Sequence, residues 1–161
     1  MKIYGFDLDG VIFVSPMPFY GALKNLNLDP LFRRLREITF LKDKFYQSIR
    51  INEEILALIN QIKQAKNRIV IISGHLLECR DEVSNCLRKG GVPFDSLYLC
   101  PDGQSHKRFK LAKIRQMDVD VYVEDRLTIV RFLQKYLEEK CQIIYYKGHR
   151  SLTQLEKIIS N

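Results

Sequence analysis

Apolar positions along the chain form short continuous runs that alternate with stretches of helical periodicity. The runs are Ile3–Phe6, Arg68–Ser73, Ser96–Cys100, Val119–Glu124 and Gln142–Tyr146. Apolar runs of this length are typical of strands that are covered on both faces, as in a parallel sheet. The pattern therefore predicts five strands of one parallel sheet.

Helical patterns separate these runs. The first has apolar residues at positions i, i+3, i+4 and i+7, which are Ile55, Leu58, Ile59 and Ile62. Asn52 precedes it as a suitable N-cap. Further helices are expected over Leu76–Arg88, Thr128–Glu138 and Ser151–Ile159. The alternating order predicts an α/β fold, a three-layer Rossmann-like parallel sheet with helices on both faces.

One stretch interrupts this alternation. Residues 14–50 lie between the first strand and the first helix, and they are too many for a simple loop. The stretch holds Pro16, Pro18 and Pro30 together with short apolar patches. We expect a small, mostly helical cap insertion within a single domain that covers residues 1–161.

Composition narrows the class of protein. Hydrophobic residues make up 46% and charged residues 28% of the 161 positions, which is typical of a globular domain. No apolar run approaches the ~20 residues of a membrane span, so no membrane partner is expected. The N-terminus reaches Asp7 too early for a signal peptide, and the four scattered cysteines lack zinc-site spacing. These features predict a cytoplasmic protein with reduced cysteines.

Acidic, hydroxyl and basic residues follow several of the predicted strands. The carboxyl ends of parallel strands meet at one edge of a sheet, and ligands bind there. The residues expected to converge at that edge are Asp7, Asp9, Ser73, Gly74, Glu124 and Asp125, with Lys107 and Lys110 from the basic segment after the third strand.

This set of residues suits phosphoryl chemistry. Neighbouring carboxylates repel one another unless a hard cation such as Mg²⁺ lies among them. One carboxylate can attack phosphorus, and a second acid can protonate the leaving oxygen and later activate water. A serine hydroxyl and a lysine can hold the phosphoryl oxygens as charge develops. The pattern therefore predicts a Mg²⁺-dependent enzyme that acts on a phosphorylated substrate.

The segments that contain these residues resemble three sequence motifs of the haloacid dehalogenase (HAD) superfamily of phosphatases. Asp7-Leu8-Asp9-Gly10-Val11 is similar to the first motif, Ser73 after its apolar strand to the second, and Glu124-Asp125 to the fourth. The resemblance implies a phosphoric monoester hydrolase with Asp7 as nucleophile and Asp9 as general acid and base. It also implies that Ser73 binds the phosphate.

The same resemblance implies a metal site and a lysine. Asp125 would hold Mg²⁺ with Asp7 and the main-chain carbonyl of Asp9, with Glu124 close to the metal. The third-motif lysine is expected at the start of the helix before the fourth motif, where Lys107 fits best and Lys110 is the next candidate. Gly74 is assigned with Ser73 to phosphate binding.

The small insertion bears on the substrate. Relatives of this size include deoxyribonucleotidases and the phosphatase half of polynucleotide kinase, whose second motif has a basic residue where this chain has His75. The resemblance therefore implies a nucleotide or other small phosphate as substrate, with a nucleic-acid terminal phosphate as the alternative. His106 is expected at the solvated surface.

The positive charge leaves two further alternatives open. The chain has 26 lysines and arginines against 19 acids, a formal charge of +7, and the segment Gly103–Met117 contains no acid. Such a segment is either a solvated helix face or a basic rim that favours nucleic-acid partners. A receiver-like phospho-acceptor domain shares the predicted topology, but it would place its acceptor on the third strand, where this chain has Leu99-Cys100-Pro101.

Overall fold

Strands with both faces covered organise the molecule. The computed structural model describes residues 1–14 and 46–159. Its strands are β1 (Ile3–Phe6), β2 (Phe13–Val14), β3 (Arg50–Ile51), β4 (Arg68–Leu76), β5 (Ser96–Cys100), β6 (Val121–Glu124) and β7 (Gln142–Tyr145). The central sheet is parallel, with the strand order β5-β4-β1-β6-β7. This confirms the predicted α/β, Rossmann-like fold class.

Helices cover both faces of that sheet. They are α1 (Glu53–Gln64), α2 (Arg80–Lys89), α3 (His106–Gln116), α4 (Leu127–Leu137) and α5 (His149–Ile159). The apolar residues of α1, α2 and α5 pack into one core, and those of α3 and α4 pack into another. The sheet thus lies between two helical layers, which is the predicted three-layer arrangement.

Strand β4 shows how the sequence supplies both cores. Ile69 and Ile71 belong to the core under α1, α2 and α5, whereas Val70 and Ile72 belong to the core under α3 and α4. Successive side chains of a strand point to opposite faces, so a continuous apolar run fills both cores at once. All four side chains are fully buried.

The register of the sheet aligns the strand ends. Phe6 on β1 pairs with Ile71 on one side and with Val123 on the other. The next residue of β1, Asp7, continues this ladder, because its N–H donates to the carbonyl of Val123 at 3.0 Å. The residues that follow β1 and β6 therefore emerge side by side at the carboxyl edge.

The two ends of the inserted stretch are joined by a small sheet. Val14 of β2 pairs with Arg50 of β3, and Phe13 pairs with Ile51, in antiparallel orientation. The predicted cap, residues 14–50, otherwise lies mostly outside the described residues. Its helical character therefore stays a prediction.

Strand β4 is longer than the sequence pattern indicated. The register between β4 and β5 shifts after Ser73, and Leu76 then pairs with Cys100. This pairing keeps the chain extended through Leu76, so the helix expected from that residue begins only at Arg80, after a 3₁₀ turn over Leu77–Cys79. The prediction placed the strand end three residues too early.

Two further expectations concerned reduced cysteines and membrane-spanning segments. Cys100 and Cys141 are buried, Cys79 and Cys86 are half-buried, and none of them forms a disulfide. Among the described residues, no helix combines the length and the hydropathy that a membrane crossing requires.

Candidate functional site

Asp7 lies at the carboxyl end of β1 and is almost fully buried. Its Oδ1 accepts a hydrogen bond of 2.8 Å from the N–H of Leu8, and its Oδ2 lies 2.8 Å from Nζ of Lys110. A buried carboxylate is costly unless it is paired and hydrogen-bonded. Both oxygens of Asp7 meet that requirement, which fixes the orientation of the side chain.

Lys110 extends from α3 into the site and has a side chain only 2% exposed. Its Nζ contacts Asp7 and also lies 2.6 Å from Oε2 of Glu124. Burial alone would lower the pKa of this lysine, but the two carboxylates outweigh burial and raise the pKa above its ordinary value. Lys110 is therefore a charged group that bridges the ends of β1 and β6.

Glu124 closes β6 and is fully buried. Its Oε1 accepts the N–H of Arg126 at 3.0 Å. Burial, together with the negative charge of Asp7, raises the pKa of Glu124 above its ordinary value, and Lys110 offsets this shift only in part. A further cation at this point would stabilise the charged form of Glu124.

Three carboxylates are close enough to share such a cation. Ligand oxygens of Asp7, Glu124 and Asp125 lie within 4.8 Å of one another. Carboxylate oxygens are the ligands that Mg²⁺ prefers, and the ion usually takes one or two of them together with waters and substrate oxygens. The residues present therefore fit a magnesium ion by donor type, charge and spacing.

Gly10 allows this cluster to form. Its φ of +85° lies in the left-handed region, and a Cβ at this position would collide with the carboxylate of Asp125. The backbone turn after Asp9 therefore passes directly against Asp125.

Asp9 is the more open of the first-motif acids. Its side chain is 23% exposed, and its Oδ2 lies 2.8 Å from Nδ1 of His75, whose side chain is 1% exposed. The rings of Phe13 and Tyr46 flank the imidazole, at centroid distances of 6.4 and 6.1 Å. His75 is thus a buried neighbour of Asp9. The sequence assigned it no such position, because the contact depends on the irregular end of β4.

Ser73 and Gly74 lie at the register shift of β4. The Ser73 hydroxyl is buried and accepts the N–H of His75 at 3.2 Å, which leaves its own proton available for donation. A Cβ on Gly74 would lie 2.7 Å from Nδ1 of His106. His106 is half-buried against this glycine, so it is solvated only in part.

The side chains of Lys107 and Lys110, the two candidates for the third-motif lysine, contact different groups. Lys107 places its Nζ 5.1 Å from the centre of the Phe132 ring on α4, whereas Lys110 contacts Asp7 and Glu124. The structure thus brings Lys110, and not the favoured Lys107, to the carboxylates. Lys110 lies one turn before buried Ile114, so helical spacing already placed it on the face toward the sheet.

Of three comparisons with known proteins, the one with solved structures finds similar proteins. No protein-family model matches the chain, and no curated protein matches it. A HAD phosphatase from Thermococcus onnurineus superposes with a TM-score of 0.64 at 16% identity, over 99% of this chain and 98% of that one.

Two other solved structures are also similar. D,D-heptose 1,7-bisphosphate phosphatase from B. bronchiseptica, complexed with magnesium and phosphate, has a TM-score of 0.56 at 16% identity, over 99% of both chains. A chain of the Pnkp1/Rnl/Hen1 RNA repair complex has a TM-score of 0.64 at 15% identity, over 90% of this chain and 42% of that one. This protein thus spans less than half of the repair-complex chain. Its fold is that of the HAD-superfamily hydrolases.

Proposed function

We propose that this protein is a Mg²⁺-dependent phosphomonoester hydrolase that acts through an aspartyl-phosphate on Asp7. The observation that carries the proposal is the cluster at the carboxyl edge of the sheet, where Lys110 orients Asp7 and Asp9 stands beside it as a second, more open acid. The fold shared with HAD-superfamily hydrolases supports the same reaction.

The first step uses both acids of the Asp-x-Asp segment. The Asp7 carboxylate attacks phosphorus, the bond between phosphorus and the ester oxygen breaks, and that oxygen leaves with the proton of Asp9. Lys110 holds Asp7 in place. The Ser73 hydroxyl, whose proton is available for donation, and Gly74 would bind the phosphoryl oxygens. The products of this step are an alcohol and phosphorylated Asp7.

The second step restores the enzyme. Asp9, now ionised, takes a proton from water, and the resulting hydroxide attacks phosphorus and releases inorganic phosphate. Asp7 and protonated Asp9 are then regenerated. His75, 2.8 Å from the Asp9 carboxylate and sealed from solvent, would keep that side chain aimed at the reacting oxygen. We assign His75 as a positioning residue in this scheme.

Magnesium would be held by Asp7 and Asp125, with Glu124 close by and the main-chain carbonyl of Asp9 as a further ligand. When bound, the ion supplies positive charge that offsets both the carboxylates and the phosphate. Lys110 contacts two of the four carboxylates at this edge, so it cannot provide that charge by itself.

The substrate proposed is a nucleotide or another small phosphate, and a nucleic-acid terminal phosphate is the second candidate. The neighbours named above include a sugar bisphosphate phosphatase and an RNA repair complex, which is consistent with either. Asp9 favours hydrolysis over a receiver-like phospho-acceptor role, because a lasting phosphoryl group needs no adjacent acid to activate water.

Hydrolysis of p-nitrophenyl phosphate with Mg²⁺ or with a chelator tests the proposal. Asp7→Asn should abolish turnover, and Asp9→Asn should slow it ~10²–10⁴-fold. Asp95→Asn is the matched control, because Asp95 also contacts a lysine but lies away from this edge. Turnover that survives Asp7→Asn, or that does not depend on Mg²⁺, would contradict the proposal. A stable phosphoprotein without turnover would favour the receiver-like alternative.

A further inference from the structure

The helical layer formed by α3 and α4 carries positive charge without any acid. Its basic residues are Lys107, Arg108, Lys110, Lys113, Arg115, Arg131 and Lys135. Of these, only Lys110 contacts a carboxylate among the residues that the structure describes. Among the flanking acids, exposed Asp102 lies between β5 and α3, whereas Asp118, Glu138 and Glu139 follow the helices on the side of the molecule away from the site.

Aromatic rings lie between these cations. Phe132 and Tyr136 of α4 contact each other, with ring centres 4.7 Å apart, and Tyr136 is 45% exposed. The Nζ atoms of Lys107 and Lys135 lie 5.1 and 5.6 Å from the Phe132 and Tyr136 rings, and Arg115 donates to the carbonyl of Tyr136 at 2.7 Å. We name these residues, together with Arg131, the α3–α4 face.

The face begins at the candidate site. Lys107 lies in the first turn of α3, three residues before Lys110, and both α3 and α4 begin at the carboxyl edge of the sheet. With 11 residues, each helix extends about 16 Å away from that edge. An anionic strand whose end enters the site could therefore lie along the face.

Cations interleaved with an exposed ring are what single-stranded nucleic acid requires. Its phosphates need lysine and arginine, and its bases stack on aromatic side chains. An anionic membrane surface would also require apolar side chains that can insert, whereas most of those on α3 and α4 pack into the core. An acidic protein segment offers no bases to stack.

We propose that the α3–α4 face binds single-stranded nucleic acid and leads its phosphorylated end to Asp7. The binding part of this proposal stands by itself, whereas the delivery of a terminal phosphate rests on the proposed function and selects its second substrate candidate. The substrate class is then a strand end, and a free nucleotide would miss most of the face.

Fluorescence anisotropy with a labelled oligothymidylate that has hydroxyl ends tests the binding, with chelator present so that no hydrolysis contributes. Arg131→Glu/Lys135→Glu should weaken binding roughly tenfold or more and should lower the slope of log K against log salt by about 1.4, since each phosphate contact on a single strand contributes ~0.7. Lys89→Glu/Lys157→Glu is the matched control, with the same charge change in the other helical layer and an expected loss below about twofold.

Tyr136→Ala isolates the stacking contribution. It should weaken single-strand binding roughly fivefold or more, leave duplex binding nearly unchanged, and be rescued by Tyr136→Phe. Because the side chain is half-exposed, the variant should keep its fold, which thermal unfolding checks.

The proposal is overturned if the wild-type chain does not bind the oligonucleotide, if the control pair weakens binding as much as Arg131→Glu/Lys135→Glu, or if anionic vesicles bind the face and the oligonucleotide does not. Failure of the proposed function gives a different result from failure of this proposal: the protein does not hydrolyse p-nitrophenyl phosphate, but it still binds the oligonucleotide. Preferential hydrolysis of a 3′- or 5′-phosphorylated oligonucleotide over a nucleoside monophosphate, fading with salt, supports delivery, and equal rates contradict it.

Discussion

The two helical layers each hold a lysine against a carboxylate at the same distance, with different consequences. Lys63 of α1 lies 2.8 Å from Asp95, and Lys110 of α3 lies 2.8 Å from Asp7. The first pair is about one-third exposed, whereas the side chains of the second are 2% and 5% exposed. Distance alone therefore does not distinguish a surface ion pair from the group that organises the site, but burial does.

The layers also differ in charge. Helices α1, α2 and α5 carry acids and bases in similar number, as expected of a solvated face. Helices α3 and α4 carry bases alone. One layer therefore supports the sheet, and the other provides the site lysine and the surface that we assign to nucleic acid.

The largest expected difference between the layers comes from removing each lysine. Lys110→Met should lower the free energy of unfolding by about 3–5 kcal/mol, because two buried carboxylates lose their cation. It should also abolish phosphatase activity. Lys63→Met should cost less than about 1 kcal/mol and leave activity intact. Urea unfolding and phosphatase assays measure both variants, and similar losses for the two would refute the distinction by burial.

A second, smaller effect concerns His75. As a positioning residue for Asp9, His75 should matter most in the first step, where Asp9 acts as the acid. His75→Asn should therefore slow alcohol release in the first turnover ~10²-fold for an alkyl phosphate and much less for p-nitrophenyl phosphate, since a good leaving group needs little help from an acid. His75→Asn combined with Asp9→Asn should be no slower than Asp9→Asn alone. His106→Asn, a nearby half-buried histidine, should affect both substrates equally. Equal slowing by His75→Asn would instead indicate a general structural role.

Two glycines with positive φ give a third test. Gly10→Ala adds a collision with Asp125 to the backbone strain, whereas Gly91→Ala, after α2, meets no atom within 4 Å. Gly91→Ala should cost about 1 kcal/mol of stability, and Gly10→Ala about 2–3 kcal/mol. Only Gly10→Ala should raise the Mg²⁺ concentration needed for half-maximal activity. A shift of that concentration by Gly91→Ala would contradict the proposed link between Gly10 and the metal site.

The smallest expected effect concerns the partly exposed ion pair between Lys63 and Asp95, and it depends on pH. Burial raises the pKa of Asp95, but the hydrogen bonds from Lys63 and from the N–H of Ile69 lower it more, so the pKa lies below its ordinary value. A carboxyl with a lowered pKa stabilises the fold above its unfolded value of ~3.9, and this stability is lost as pH falls through the folded value. Asp95→Asn should thus cost about 0.5–1 kcal/mol at neutral pH.

That cost should decrease as pH falls below about 4, which urea unfolding at neutral pH and at acidic pH measures. If the difference in free energy of unfolding between Asp95→Asn and wild type stayed constant with pH, the charge of the carboxylate would contribute nothing to stability. Phosphatase activity at neutral pH should be unchanged in this variant.

Much of the fold follows from local pattern. The runs that form β1 and β5 and the apolar spacing of α1 were predicted with nearly correct bounds, because each is dictated by the period of its own apolar residues. The end of β4 was not, since the pairing of Leu76 with Cys100 depends on a neighbouring strand and leaves no trace in the run itself.

The same distinction applies to the site. Topology brings Asp7, Glu124 and Asp125 together, and sequence alone indicated their convergence. The choice of lysine depended on the rotation of α3 about its axis, and helical spacing relative to Ile114 was the signal that the N-terminal position of Lys107 obscured. The contact between His75 and Asp9 needed three-dimensional information, because it arises from a register shift.

Trapping of the phosphorylated enzyme tests the nucleophile directly. Acid quench during turnover, followed by borohydride reduction, converts an aspartyl-phosphate to homoserine, which mass spectrometry locates in the tryptic peptide after Lys2. We predict that homoserine replaces Asp7 and not Asp9, only with Mg²⁺ and substrate present. Modification of Asp9, or full turnover with neither residue modified, would contradict covalent catalysis by Asp7.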